Sequence, residues 1–144
     1  MSMERTITYL KIASGIIVGF GLLGFLGVWP AFAMPIEILL DLIFWPIDKQ
    51  QTLATPESRL LLAIASGVLV GWGAMMWLIA TQLYEANPKL ARTMILTSMA
   101  SWFVIDSTGS IISGAPINAL FNLGFVALFY LPLRQIEPTL ASQS

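Results

Sequence analysis

The sequence contains neither cysteine nor histidine, and only 10% of its 144 residues are charged. Without cysteine the chain has no disulfide and no thiolate nucleophile, and without either residue type the common zinc ligand sets are excluded. The missing histidine also removes the usual axial ligand of haem and the usual general base near neutral pH. Any chemistry would depend on carboxylates, hydroxyls, amides and arginine, which disfavours an enzyme.

The low charge accompanies a large excess of apolar side chains, which make up 57% of the chain. A soluble domain carries about 25% charged residues, and a chain of this length could not hide so much apolar side chain from water. Lipid removes that difficulty, so the composition predicts an integral membrane protein with one domain. The net charge of −1 gives no reason to expect nucleic acid as a partner.

Four stretches are long and apolar enough for a transmembrane helix, which needs roughly 20 mostly apolar residues. They run from about 6 to 28, 59 to 83, 90 to 112 and 115 to 133. Proline and glycine mark the breaks between them, and the shortest breaks imply antiparallel neighbours. The sequence therefore predicts an all-α fold, a four-helix membrane bundle that forms one domain over residues 1–144.

The first stretch could instead be a signal peptide, because Ala31-Phe32-Ala33 resembles a cleavage site and Arg5 and Lys11 precede an apolar run. That run is longer than the apolar region of a signal peptide. We therefore expect the segment to be retained as a spanning helix.

The basic residues predict how the spans are oriented, since they concentrate on the cytoplasmic side of membrane proteins. If the amino terminus is cytoplasmic, the other side holds only Lys49 and Arg59. The cytoplasmic side then holds Arg5, Lys11, Lys89, Arg92 and Arg134. This distribution predicts a bacterial inner-membrane protein with both termini in the cytoplasm.

The segment from 35 to 48 has the pattern of a short amphipathic helix. Glu37, Asp41 and Asp48 fall close to one face, apolar residues fill the rest, and Pro35 suits the first turn. The segment is too short to span a membrane. We expect an interfacial helix on the membrane surface, with a solvated acidic face; a weak oxygen-ligated metal site there is a less favoured alternative.

A short repeat links the first two spans, since Ile12–Gly21 aligns with Ile64–Gly73 at seven identical positions out of ten. Each copy contains two glycines four residues apart, namely Gly15 and Gly19, and Gly67 and Gly71. Small residues let helix backbones approach closely in lipid. These glycines predict packing between the two spans. A contact between subunits and a ligand lying against the glycines are the alternatives.

The polar residues of the later spans concentrate toward one end. Asp106 lies about 16 residues beyond Leu90, or roughly 24 Å along a helix, which places it near the outer headgroups. Asn118 and Asn122 are four residues apart and share a face. We expect one polar cluster at this level. Asp41 would form part of its lid, and the cluster would consist of Asp106, Arg59, Asn118, Asn122, Ser110 and Asp41.

Three interpretations of this cluster remain open. It could be a structural clamp in which Arg59 neutralises Asp106 and the asparagines complete the hydrogen bonding. It could be a pocket for a ligand headgroup or a proton. A catalytic carboxylate is the weakest interpretation, because Asp106 has no partner acid, histidine or nucleophile. Contact between Arg59 and Asp106 without a cavity would favour the clamp, whereas a cavity beside Asp106 would favour a ligand site.

The run from Trp102 to Ser110, followed by Gly114 to Asn118, resembles small bacterial four-helix membrane proteins without an assigned activity. The outline of four helices with glycine-rich first and second spans is also similar to DoxX-like proteins. The resemblance implies a compact bundle and no catalytic residue.

These observations together predict an accessory or scaffold subunit that packs in lipid against a larger membrane complex or against itself. A bundle that binds a lipid or small molecule at its outer face is the alternative. No cofactor is implied, and one ligated by histidine or cysteine is excluded.

Overall fold

The computed structural model describes residues 1–134, and these contain helices and turns without any strand. The five α-helices are α1 (Met3–Leu26), α2 (Met34–Ile43), α3 (Pro56–Leu78), α4 (Pro88–Ile112) and α5 (Pro116–Leu133). A π-helix, Ile79–Leu83, prolongs α3, and a 3-10 turn, Pro30–Phe32, precedes α2. The four long helices are long and apolar enough to cross a membrane. The all-α prediction is thereby confirmed for residues 1–134.

Side-chain caps and prolines set where the long helices begin. The oxygens of Ser2, Thr55 and Asn87 accept the backbone N–H three residues further on, which satisfies a donor that the first turn leaves free. Helices α3, α4 and α5 each have a proline in the first turn. Proline lacks an N–H, and the first turn of a helix does not need that donor for a helical hydrogen bond. Gly114, at φ +82°, makes the turn between α4 and α5.

The helix between the first two spans is shorter than the pattern predicts, covering 34–43 instead of 35–48. Proline at position 46 disfavours helical backbone at Trp45, so the helix ends before it. Residues 44–55 then run as an irregular segment to the start of α3.

Helices α1 and α3 are antiparallel and touch through two glycines. A Cβ atom at Gly21 would lie 2.9 Å from the carbonyl oxygen of Ser66, and one at Gly73 would lie 3.0 Å from that of Ser14. Ser14 and Ser66 occupy equivalent positions in the repeat, as do Gly21 and Gly73. The two copies of the repeat therefore pack against each other in a pseudo-symmetric way. We call this contact the glycine seam.

The glycines named by the GxxxG pattern do not form this seam. A Cβ at any of them would meet no atom within 4 Å, and this holds for Gly15, Gly19, Gly67 and Gly71. All four lie on exposed faces of α1 and α3. The prediction that they pack these two helices together within the chain is wrong, because the helices are rotated to present Ser14, Gly21, Ser66 and Gly73 instead.

The remaining long helices pack around α1 and each other. Helix α1 lies between α3 and α5, and α5 packs along α4. Helix α4 meets the second span chiefly at the π-helical turns that follow α3. The main apolar core includes Leu10, Ile17, Met76, Ile95 and Phe129. Away from the π-helix, α3 and α4 stay further apart, and this leaves room for the cavity described below.

Candidate functional site

Asp106 of α4 is the centre of a hydrogen-bonded group that joins α4 to α5. Its Oδ1 accepts from Asn122 Nδ2 at 2.8 Å, from Asn118 Nδ2 at 2.9 Å and from Ser110 Oγ at 3.2 Å. All three partners donate to this one oxygen, which accepts. The structure thus brings together four of the six side chains expected in one cluster.

The two asparagines also bind serine hydroxyls. Asn118 Nδ2 donates to Ser110 Oγ at 2.8 Å, and the buried Asn122 donates to Ser107 Oγ at 3.1 Å. Ser107 was not among the expected cluster residues. Its spacing from Ser110 carried the signal, because residues three and four apart on a helix share a face. We call these five residues, Asp106, Ser107, Ser110, Asn118 and Asn122, the amide cluster.

Arg59 does not join the amide cluster, and this part of the prediction is wrong. Its Nη2 donates to the carbonyl oxygen of Ala54 at 3.3 Å, so the side chain folds back over the start of its own helix. Helix α3 packs mainly on α1, whereas Asp106 faces α5. No basic side chain among residues 1–134 forms an ion pair with Asp106. A clamp based on Arg59 is therefore excluded.

Asp41 is also outside the amide cluster, because its carboxylate holds the segment after α2. Its Oδ2 accepts from the N–H of Lys49 at 2.9 Å and its Oδ1 from that of Gln51 at 3.2 Å. Glu37 Oε1 similarly accepts from the N–H of Leu53 at 3.0 Å. Asp41 is only 3% exposed and Glu37 is half-buried, whereas Asp48 is exposed. Of the three acids expected on a solvated face, only Asp48 is solvated. Within residues 1–134 no group of three or more acidic side chains is placed to hold a metal ion.

A cavity of about 660 Å³ adjoins the amide cluster. That volume falls within the range of small-molecule pockets. Asp106, Asn118 and Asn122 line its polar end, and the other wall residues are apolar. They come from all five helices: Ile16, Ile17 and Phe20 of α1, Leu39 and Ile43 of α2, Leu69 and Trp72 of α3, Trp102 of α4, and Leu120, Phe121, Gly124, Phe125 and Leu128 of α5. Helix α2 therefore contributes leucine and isoleucine to the site in place of the expected Asp41.

Aromatic rings form much of the wall. The ring centroids of Trp72 and Trp102 are 5.3 Å apart, and Phe125 contacts Trp102 at 6.1 Å and Phe20 at 5.3 Å. Trp72 Nε1 donates to Ser98 Oγ at 2.8 Å, which fixes the indole and links α3 to α4. These pairs lie within the usual separation of interacting rings, so the wall is held in place by its own contacts.

The repeat contains the signal that could have identified part of this wall. Phe20 and Trp72 occupy equivalent positions, as do Ile17 and Leu69, and all four line the cavity. Each copy of the repeat therefore presents one face to the glycine seam and a neighbouring face to the cavity. Sequence reasoning considered only the glycines and missed the bulky positions between them.

A second buried polar contact lies at the opposite end of the long helices. Tyr84, after the π-helix, is 2% exposed and lies close to Thr6 of α1. Burial raises the pKa of the Tyr84 hydroxyl above its ordinary value of 10.0, against the lowering effects of Thr6 and Arg92. Tyr84 does not line the cavity, so it belongs to the packing of the helix ends.

Comparison with known proteins returns no matching family model, no matching curated protein and no matching solved structure.

Proposed function

We propose that this chain is a four-helix membrane bundle that binds a lipid or another amphipathic small molecule in the cavity beside Asp106. The observation that carries the proposal is a largely apolar cavity in which Asp106, the only charged wall residue among residues 1–134, lies at one end. Such a division suits a molecule with an apolar body and a polar head. Apolar walls with a few placed polar groups are typical of ligand sites.

The position of the polar end supports the same function. Asp106 lies six residues before the end of α4, or about 9 Å along its axis. From Asn118 to Leu128 the wall extends about 15 Å along α5 toward the middle of the spans. A ligand in this cavity would hold its head near the headgroup level and its apolar body at the depth of the acyl chains.

Tryptophan fluorescence tests this function directly, because Trp72 and Trp102 line the cavity. We expect dodecanol brominated in its chain to quench their emission in lipid nanodiscs when Trp29, Trp45 and Trp77 are replaced by phenylalanine. Gly124→Leu in the same background should abolish the saturable part of the quenching, because a side chain at Gly124 enters open space in the cavity wall.

The matched control is Gly109→Leu, at an equally open helical glycine of α4 that is not itself a wall residue of the cavity. This variant should be quenched like the parent protein. Equal quenching of the parent and the Gly124→Leu variant would contradict a binding cavity.

An accessory or self-associating subunit is the second candidate, favoured by the outward-facing glycines. Gly15 and Gly19 on α1 and Gly67 and Gly71 on α3 leave open space where another helix could approach. Gly67→Leu should then lower the apparent mass of the particle purified in mild detergent without lowering the stability of the monomer. An unchanged particle mass would argue against this role.

The proposed setting is a bacterial inner membrane with both termini in the cytoplasm and α2 at the outer interface. The basic residues favour this orientation, and exposed aromatic side chains around α2, including Trp29, Phe32 and Trp45, suit a headgroup region. Because the chain has no cysteine, single variants Ser2→Cys and Gln51→Cys report the two sides. A membrane-impermeant maleimide should label only Gln51→Cys in intact cells; labelling only Ser2→Cys would reverse the orientation.

A further inference from the structure

The polar end of the cavity offers hydrogen-bond acceptors that lack donors. Oδ1 of Asp106 receives three donors, while Oδ2 receives none from residues 1–134. Each asparagine amide nitrogen already donates two hydrogen bonds. The side-chain carbonyl oxygens of Asn118 and Asn122 are therefore the groups that can still bind a ligand, and these oxygens accept hydrogen bonds. A ligand head at this end therefore needs to donate.

The charge at this end points the same way. Asp106 borders an apolar space, and no basic side chain of residues 1–134 is paired with it. A carboxylate taken from water without a countercharge is costly, and a cation close to it offsets that cost. A carboxylate, sulfate or phosphate head would add repulsion instead.

The aromatic wall supplies a further favourable environment for a cation. Trp102 lies one helical turn before Asp106. The rings of Trp72 and Phe125 contact the ring of Trp102. The negative face of an aromatic ring attracts ammonium and guanidinium groups, most strongly for tryptophan. The carboxylate, the asparagine carbonyl oxygens and the indole rings belong to residues that line one cavity, and all three kinds of group favour positive charge.

Resting on the proposed binding function, we propose that the ligand is a cationic amphiphile. Its ammonium or guanidinium head donates hydrogen bonds to Oδ2 of Asp106 and to the carbonyl oxygens of Asn118 and Asn122. Its apolar body lies along α5 toward Leu128. The site selects the head by charge and tolerates variation in the body, since the remaining wall is apolar.

The test compares three brominated single-chain probes with the same chain and different heads: dodecylammonium, dodecanol and dodecyl sulfate. Quenching of Trp72 and Trp102 is measured near neutral pH in zwitterionic phosphocholine nanodiscs, against the mole fraction of probe in the membrane. We expect dodecylammonium to reach half-maximal quenching at a mole fraction about tenfold or more below that of dodecanol. Dodecyl sulfate should be the weakest.

Asp106→Asn keeps the shape of the side chain and removes its charge. In this variant the half-maximal mole fractions of dodecylammonium and dodecanol should agree to within about twofold. If the variant does not fold, the three probes still decide the question on the parent protein.

The two proposals fail in different ways. Equal quenching by dodecylammonium and dodecanol, abolished for both by Gly124→Leu, overturns the cationic selectivity and leaves the binding function standing. Insensitivity of every probe to Gly124→Leu overturns both proposals.

An aminophospholipid and a free amine both have the ammonium head that we propose. Changing the bulk lipid of the nanodisc distinguishes the two sources. If a phospholipid is the natural occupant, replacing phosphocholine by phosphoethanolamine lipid should suppress quenching by dodecylammonium through competition. If a free amine is the occupant, the quenching should persist in both lipids. Each result supports a cationic head and identifies its source.

Discussion

The glycine seam between α1 and α3 and the amide cluster between α4 and α5 hold helices together by different means. At the seam, Gly21 and Gly73 bring backbones so close that a Cβ would meet the opposite main chain at 2.9–3.0 Å. At the cluster, hydrogen bonds from Asn118 and Asn122 to Asp106 connect the two helices. Close backbone packing leaves no space between α1 and α3 at the seam. The side-chain contacts between α4 and α5 leave room for a ligand beside them. The cavity lies beside the amide cluster, where α3 and α4 stay apart.

The largest effect is expected where the seam is broken. Gly73→Ala places a Cβ 2.7 Å from Val18 Cγ2 and 3.0 Å from main-chain atoms, so the helices must move apart at a cost of about 2–3 kcal/mol. Gly71→Ala, two residues away with nothing within 4 Å, is the matched control. Reversible unfolding in mixed detergent micelles measures both. Equal loss for the two variants would contradict the assignment of the seam to Gly73.

The amide cluster should be less sensitive than the seam. Asn122→Ala removes the donor to Asp106 and Ser107 from a buried position, and the expected loss of unfolding free energy is about 1–2 kcal/mol. Asn118→Ala should cost less, because Asn118 is only half-buried. The same unfolding assay compares them, and a larger loss for Asn118→Ala would reverse the roles assigned to the two amides.

A local effect is expected at Asp41, away from both contacts. Asp41→Ala removes the acceptor for Lys49 and Gln51, which should release the 44–55 segment at a cost of about 1 kcal/mol. Faster proteolytic cleavage within that segment is the measurement. Glu57→Ala, at an exposed position in the first turn of α3, should leave the cleavage rate unchanged. An unaltered rate for Asp41→Ala would show that the segment is held by other contacts.

The smallest effect concerns pH. Burial raises the pKa of Tyr84, so the folded state keeps this proton more firmly than the unfolded chain. The contribution of neutral Tyr84 to stability is complete below about pH 10 and is lost as the pH rises from there through the raised pKa. Tyr84→Phe should remove part of the alkaline loss of stability, whereas Tyr9→Phe, at an exposed position, should not. Unfolding at about pH 9 and pH 11 compares them.

The sequence predicts the seam and the cluster unequally well. Hydropathy places the four long helices, and the four-residue spacings of Asp106 with Ser110 and of Asn118 with Asn122 correctly bring those side chains together. The seam was assigned to the wrong glycines because the repeat offers two small-residue faces, and helix rotation depends on the partner helix. The positions of Arg59 and Asp41 were predicted wrongly because both side chains hydrogen-bond close to their own helices. Arg59 donates to Ala54, and Asp41 accepts from Lys49 and Gln51, so neither side chain extends to α4.

The cavity itself was not predictable from hydropathy. Its walls consist of the same leucine, phenylalanine and tryptophan residues that cover a lipid-facing surface. Their placement depends on α3 and α4 staying apart beyond the π-helix and on α2 turning Leu39 and Ile43 inward. The separation of α3 and α4 and the position of α2 result from packing among all five helices, and no local sequence pattern predicts either feature.

Native mass spectrometry of protein purified in mild detergent tests the central claim most directly. We predict that the unmodified chain retains a bound amphiphile as a discrete mass increment, that Gly109→Leu retains it, and that Gly124→Leu loses it while keeping its fold. An increment that is absent from the unmodified chain, or that persists equally in Gly124→Leu, would contradict a ligand-binding cavity beside Asp106.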